Sequence, residues 1–428
     1  AMAGSAVGLG NFLRFPVQAA KNGGGAFMIP YLVAFILLGI PLMWSEWAMG
    51  RFGGVRGTGT TPGIFVLLAG NRLAKYVGVM GLFLPLIVLI YYVCIESWTL
   101  AFSFFSMKGQ YFGISTRGEM GTFLSSFQTG SKSAYFSGLG VAYTFFIITI
   151  LANLSFTMRG ISKGIELLGK IGMPLLIIFA VALVIRTFTM ASPDPAYPDR
   201  NVLSGLAFIW NPDFSQLKHA KVWLAAAGQM FFTLSVGFGA LTCYASYLKE
   251  TDDVALSGFS TAMTNEFTEV ILGGSIAIPI AVMFFGQSAT VEIANSGSFD
   301  LGFQTLPIIF QKIPYGRFFG TAWFGLLFIA GITSSVSLSQ PIITFFQDEF
   351  KLSRKKANLI VWAFVFICAQ FVIFGLKGGF LDELDFWVGT FGITLFALIE
   401  IIMFAWVFKM PNAWDEITPN YNTTTGHS

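Results

Sequence analysis

Ten stretches of helix length and membrane-grade apolarity leave this chain few ways to fold. They run over about 1–20, 25–50, 74–107, 134–157, 163–190, 221–248, 254–286, 317–347, 355–376 and 384–408, and each approaches or exceeds the roughly 20 residues a helix needs to cross a bilayer. Composition agrees, because 55% of the 428 residues are apolar and only 11% are charged, less than half the roughly 25% of ordinary soluble chains. The expectation is an all-α polytopic membrane protein. Phe numbers 48 and Gly 47, which suits lipid-facing surface and close helix contacts respectively.

Two of these spans are interrupted. Gly4 to Phe15 carries two glycines, Asn11 and Arg14 inside an apolar run, and Phe232 to Gly239 (Phe-Thr-Leu-Ser-Val-Gly-Phe-Gly) breaks the sixth span in the same way. Backbone freed from a helix inside lipid must find partners or line a cavity. Broken helices in corresponding positions of two halves therefore point to a ligand and ion site near mid-membrane. Gly8 and Gly10 taken alone fit close helix packing equally well; the second break favours the site. A nucleotide-binding glycine loop is excluded because no strand precedes it.

Ten spans divide into five and five, so the second half enters the membrane from the opposite side and the two repeats are inverted. The expected division is a first repeat over 1–190, an extracellular connection over 191–220, a second repeat over 221–410 and a polar, disordered cytoplasmic tail over 411–428. Arg51, Arg56, Arg72 and Lys75, then Arg159 and Lys163, then Lys351, Arg354, Lys355 and Lys356 fall in loops on one side, which the positive-inside rule makes cytoplasmic. The opposite side holds 191–220 and 287–316, whose Gly and Pro content suggests short helices over the outer mouth. Cys94, Cys243 and Cys368 all lie in spans, so no disulfide framework is implied. A net charge of +3 and two histidines argue for neither nucleic acid nor metal clusters. No cleavable signal peptide is visible. The chain opens inside its first apolar stretch without an initiator methionine, so further residues are expected upstream.

Five motifs stand in order along residues 1 to about 415: Gly8-Leu-Gly-Asn-Phe-Leu-Arg-Phe-Pro16, Asn22-Gly-Gly-Gly-Ala-Phe-Met-Ile-Pro-Tyr31, Gln229-Met-Phe-Phe-Thr-Leu-Ser-Val-Gly-Phe-Gly239, Thr264-Asn-Glu-Phe-Thr-Glu269 and Leu381-Asp-Glu-Leu-Asp-Phe-Trp387. In these the chain resembles the neurotransmitter:sodium symporter family, without that family's cytoplasmic N-terminal segment and its final one or two helices. The resemblance implies a LeuT-type fold, a 5+5 inverted repeat with discontinuous helices one and six, in the inner membrane of a prokaryote. It implies a sodium-coupled symporter of small to medium hydrophobic L-amino acids such as leucine, alanine or methionine, using two sodium ions and no chloride, in an assembly that could be a homodimer. A transport-inactive amino-acid-binding membrane sensor of the same fold is the alternative. Enzyme chemistry is remote, since no nucleophile pairs with a histidine within the spans.

An amino-acid zwitterion is costly to bury unless both charges are matched. Freed amides at Leu9 and Gly10 can take the carboxylate, and freed carbonyls around Ala6, Phe232 and Thr233 with the Ser235 hydroxyl can take the ammonium. The resemblance assigns the same roles, adds the Tyr92 hydroxyl for the carboxylate, and places Val88, Tyr92, Phe232, Phe238, Ser334 and Leu338 around the side chain. It implies one sodium site from Ala6, Asn11, Thr233 and Asn265, and a second from Gly4, Val7, Ala330, Thr333 and Ser334. Back-bonding to their own helix is the plain reading of Thr333 and Ser334.

Glu269 follows Asn265 by one helical turn. Where chloride-dependent relatives hold a serine, this carboxylate would supply the fixed negative charge, in an anion-site equivalent with Tyr31, Gln229 and Thr233. Glu46, Glu96, Glu266 and Glu400 read as hydrogen-bonded helix braces. Arg14 and Asp385, bridged by Gln18, are expected to close the outer path above an aromatic lid of Tyr92 and Phe238.

Overall fold

The computed structural model describes residues 7–160, 166–190, 192, 195–297 and 299–418. Among these, eight helices are long and apolar enough to cross a membrane: Gly25–Val55, Ala74–Lys108, Gly140–Arg159, Gly169–Phe188, Val254–Phe285, Gly316–Phe350, Arg354–Gly378 and Phe380–Val407. The two expected spans missing from that set are the first, whose described part starts only at Val7, and the sixth, which is broken. The first runs from the break as Gly10–Arg14 and Phe15–Lys21; the sixth is split into Ala220–Leu234 and Ala240–Ala245. Three cysteines remain free in or beside the spans.

The third and eighth spans pack together along much of their length and form the centre of the molecule. Around them, the second span lies against both halves of the sixth, and the first turn of span one lies against span seven. Short helices Arg117–Thr129, Val202–Trp210, Gln287–Ser296 and Asp300–Phe310 cover the outer side. The expectation for the Phe residues needs correcting. Many are inside: Phe102 alone meets Phe105, Tyr111, Phe123, Phe127, Phe303 and Phe324 at centroid distances of 4.9 to 6.3 Å. Edge and offset ring contacts of this kind add stabilisation beyond area burial, and they fasten the outer helices to spans three and eight.

Two boundaries shift for local reasons. The fourth span starts at Gly140 rather than near 134, since the Ser133 hydroxyl accepts from the amides of Tyr135 and Phe136 and closes a turn there. The tail is not polar coil throughout: Met410–Ile417 is a helix. Glu416 anchors it, its carboxylate pairing with Arg51 at 3.1 Å and its carbonyl accepting from the same guanidinium. Residues 419–428 lie outside the described residues.

Several spans contain π-helical turns, at Gly10–Arg14, Phe35–Gly39, Phe267–Gly273, Trp387–Gly392 and Ile402–Val407. Such turns insert one residue into the ladder and re-aim the side chains around it. Three of them, in spans one, seven and ten, carry residues of the site described next.

Candidate substrate and ion site

The sixth span stops at Ser235, which takes a left-handed conformation at φ 58°. The Ser235 and Val236 amides bond back to the carbonyls of Phe232 and Phe231, a C-terminal cap that uses up the loose carbonyls of the helix end. Gly237 and Gly239 then carry φ of 72° and 70°. Both need glycine, since a Cβ would sit 2.6 Å from the Ile393 carbonyl oxygen in the first case and 2.6 Å from that of Gly81 in the second. The amide of Gly237 would be an orphan in lipid. It donates instead to Glu46 Oε1 at 2.5 Å, while Thr242 donates to Oε2 at 3.2 Å. Glu46 is thus the brace of the second break, with Glu400 beside it.

At the first break, Val7 and Gly8 are non-helical and the helix begins at Leu9. The Gly8 amide donates to Asn11 Oδ1 at 2.7 Å and the Leu9 amide to Tyr92 Oη at 3.3 Å. Gly4 and Ala6, expected among the sodium and substrate ligands, lie outside the described residues. Asn11 gathers the expected first ion site: its Nδ2 lies 3.0 Å from Thr233 Oγ1, 2.9 Å from Asn265 Oδ1 and 2.9 Å from Glu269 Oε2. These residues are fully or almost fully buried. One detail departs from the expectation. Asn11 turns its N–H₂ end toward the cluster, because the Glu269 carboxylate is an acceptor and draws a donor; turning the amide over would present Oδ1 to a cation in the same place.

Glu269 receives four donors: Asn11 and Thr233 on Oε2, and Tyr31 and Gln229, each at 2.9 Å, on Oε1. Four donors on two oxygens is the complement of an ionised carboxylate. The structure therefore brings together the four residues expected as the anion-site equivalent, Tyr31, Gln229, Thr233 and Glu269. Tyr31 Oη also lies 3.0 Å from Glu266 Oε1, and Asn153 Nδ2 donates to Glu96 Oε1 at 2.8 Å, so each of these acids ties its span to another.

The outer closure is direct. Arg14 Nε lies 3.0 and 3.1 Å from the two carboxylate oxygens of Asp385, with both side chains buried. Gln18 is not between them; it accepts from Asn22 at 3.4 Å, since a contact this short leaves no gap to bridge. The remaining Arg14 donors go to Gln229 Oε1 at 2.6 Å, Thr390 Oγ1 at 2.8 Å and the Gly389 carbonyl at 3.3 Å, while Tyr91 Oη donates to Asp385 at 3.1 Å. Tyr91 and Thr390 were missed from sequence. Their signal was the burial of a hydroxyl in an apolar span, where it must find a partner. Gln229 touches both Arg14 and Glu269 and joins the closure to the ion site.

Beneath Arg14 lies Phe232, its ring centroid 4.4 Å from the guanidinium carbon and 6.0 Å from that of Phe238. The roof is therefore Phe232 with Phe238, rather than the Tyr92 and Phe238 lid anticipated. Below it is a cavity of about 20 Å³ lined by Gly8, Gly10, Val88, Tyr92, Phe232, Thr233, Ser235, Phe238, Ser334 and Leu338. All but Gly8 belong to the anticipated substrate set. Space of this size holds about one water, so an amino-acid side chain enters only if the aromatic roof moves. At the anticipated second ion site, Thr333 and Ser334 hydroxyls donate to the Ala330 carbonyl at 2.8 and 3.3 Å. Such bonds use hydroxyl hydrogens and leave oxygen lone pairs available. Val7 is buried nearby at the break.

A model of the sodium:neurotransmitter symporter family matches residues 1–192 and 133–426. The chain is 30% identical over 410 residues to an uncharacterized sodium-dependent transporter of Methanocaldococcus jannaschii, covering 95% of this chain and 80% of that protein. To the sodium-dependent nutrient amino acid transporter 1 of Drosophila erecta it is 26% identical, over 96% of this chain and 70% of the relative. Among solved structures, that of MhsT in complex with L-phenylalanine superposes with a TM-score of 0.85 at 29% identity, covering 97% of this chain and 90% of that one.

Proposed function

The chain belongs to the sodium:neurotransmitter symporter family, has the LeuT-type fold and is a sodium-dependent membrane transporter, and on that premise we propose that it carries aliphatic L-amino acids with two sodium ions, independently of chloride. One observation carries this reading: Glu269, with four donors, stands in hydrogen-bond contact with the Asn11 and Thr233 side chains anticipated to bind sodium. A fixed carboxylate at that point supplies the negative charge that a second, anionic co-substrate would otherwise bring.

The cavity walls support the substrate class. Val88, Phe232, Phe238 and Leu338 are apolar and, among the described residues, no charged side chain lines the space, so an acidic or basic side chain would be buried unpaired at a cost of several kcal/mol. The side chain of the L-phenylalanine in the MhsT complex is likewise apolar and uncharged. The substrate carboxylate would replace Tyr92 at the Leu9 amide and complete the first sodium shell, so that each ligand raises affinity for the other. Filling both breaks would favour the state with Arg14 locked on Asp385, and a swing of the first helix would then open the inner path.

The test is uptake of labelled leucine and alanine by the purified protein in sealed vesicles. Accumulation against a gradient with external sodium, equal in chloride and gluconate, is expected. Binding without accumulation would favour the sensor, and undiminished binding in choline would remove the sodium assignment.

A further inference from the structure

The outer ends of the fifth and eighth spans do not meet; between them runs a groove of about 520 Å³, walled by Ile185, Arg186 and Thr189 on one side and Pro314, Tyr315 and Phe319 on the other. Its mouth opens sideways to the bilayer. Ile178 and Ile185 are 64% and 59% exposed, and Phe318 across the groove is 65% exposed. Lower down the gap closes, where Phe179 packs on Phe319 with centroids 5.7 Å apart. The result is an apolar slot, open toward lipid, with a floor.

At the top of the slot stands a cation. Arg186 is in the last turn of the fifth span, on the side the basic loops mark as external. Its Nη1 lies 3.4 Å from the Thr189 hydroxyl, and among the described residues no carboxylate lies within ion-pair distance of it. Tyr315, 83% exposed, stands opposite at the same level, the depth where aromatic rings and headgroups meet. A guanidinium with free donors suits a phosphate diester, which it can hold through two parallel hydrogen bonds. An acyl chain below the phosphate suits the slot.

We propose that this groove binds one phospholipid, its phosphate on Arg186 and one acyl chain between spans five and eight. A phospholipid is preferred to a soluble anion because the groove joins a guanidinium to apolar walls flanked by the exposed Ile178, Ile185 and Phe318. Deeper in the same helix pair, Gly172 lies against Ile329, whose Cγ2 a Cβ at that position would meet. Ile329 precedes Ala330, so a lipid seated at the outer end sets the spacing of the helices that hold the Ala330 to Ser334 segment.

The experiment is native mass spectrometry of the full chain purified from bilayers of phosphatidylglycerol and phosphatidylcholine, counting the lipids retained. One phosphatidylglycerol should stay bound to the wild type. Arg186→Gln, which keeps an amide for Thr189, should reduce its retention roughly fivefold, the effect of one cation at an anionic membrane surface. Ile185→Trp, which fills the slot and leaves the charge, should reduce it as well, and inorganic phosphate should not displace the lipid. Retention at the wild-type level by either variant, or displacement by inorganic phosphate alone, would overturn the proposal.

Discussion

Two hydrogens on the Asn11 amide face three oxygens, on Thr233, Asn265 and Glu269, and what occupies that point decides the charge balance of the site. If Glu269 is the fixed charge, Glu269→Ser should bind substrate weakly in gluconate and recover in chloride, while the wild type is indifferent to both. The loss in gluconate should be about tenfold or more, since orphaning buried donors costs about 1–3 kcal/mol each. Equilibrium binding of labelled leucine at fixed sodium checks this; equal affinities for the variant in the two media would count against it. Pocket volume sets a second expectation. Leu338→Ala or Val88→Ala should shift preference from alanine and leucine toward larger side chains, by the 1–3 kcal/mol that a methylene or two commands, as read by competition across an aliphatic and aromatic series. The glycines and polar residues of the two breaks stand out in an apolar run, whereas the apolar lining, Val88, Phe238 and Leu338, was expected only through the family resemblance. Tyr91 and Thr390 were not legible: a hydroxyl in a span has many places to turn, and only the fold shows that Asp385 and Arg14 are there.

At the scale of the element, the breaks were readable because glycine and serine punctuate them. Their support was not. That Glu46 catches the Gly237 amide depends on two spans 191 residues apart meeting in one register, and no local pattern records it. Nor do the π-turns announce themselves, since the apolar run continues through them unchanged. The brace gives a prediction: Glu46→Ala should orphan the Gly237 amide and the Thr242 hydroxyl, costing about 1–3 kcal/mol for each. A lowered unfolding midpoint in detergent, together with weaker sodium-dependent binding, would be the result; an unchanged midpoint would show that the break holds without Glu46. Gly237→Ala should be at least as severe, because a positive φ and the Ile393 carbonyl both oppose the added carbon.

For the molecule as a whole, the outer layer responds to pH. Asp300 opens the helix Asp300–Phe310, beside a cavity of about 710 Å³ under the helix Arg117–Thr129, and its carboxylate contact to Gln128 is long, at 3.4 Å. Burial lifts its carboxyl to about 6, and nearby Asp382 adds to the rise. The folded state therefore holds this proton more tightly than the unfolded chain does. Stability from this group is full below about pH 4 and is lost as pH rises through 6. The unfolding midpoint should fall between pH 4.5 and 7, and Asp300→Asn should flatten that slope; an unaltered slope in the variant would assign the titration elsewhere.

The single clasp of Arg14 has a consequence for how the protein spends a sodium gradient. Each nitrogen of that guanidinium is held by a residue of span six or span ten, so there is no half-measure: drawing Asp385 away leaves a buried charge exposed to a penalty of about 3–5 kcal/mol. A partly ajar outer door is then rarer than the shut one by roughly two to three and a half decades. With Arg14 and Asp385 as the outer closure of the proposed transport cycle, sodium entering without cargo would be a short circuit, and the rarity of the ajar state would keep such leakage small beside coupled flux.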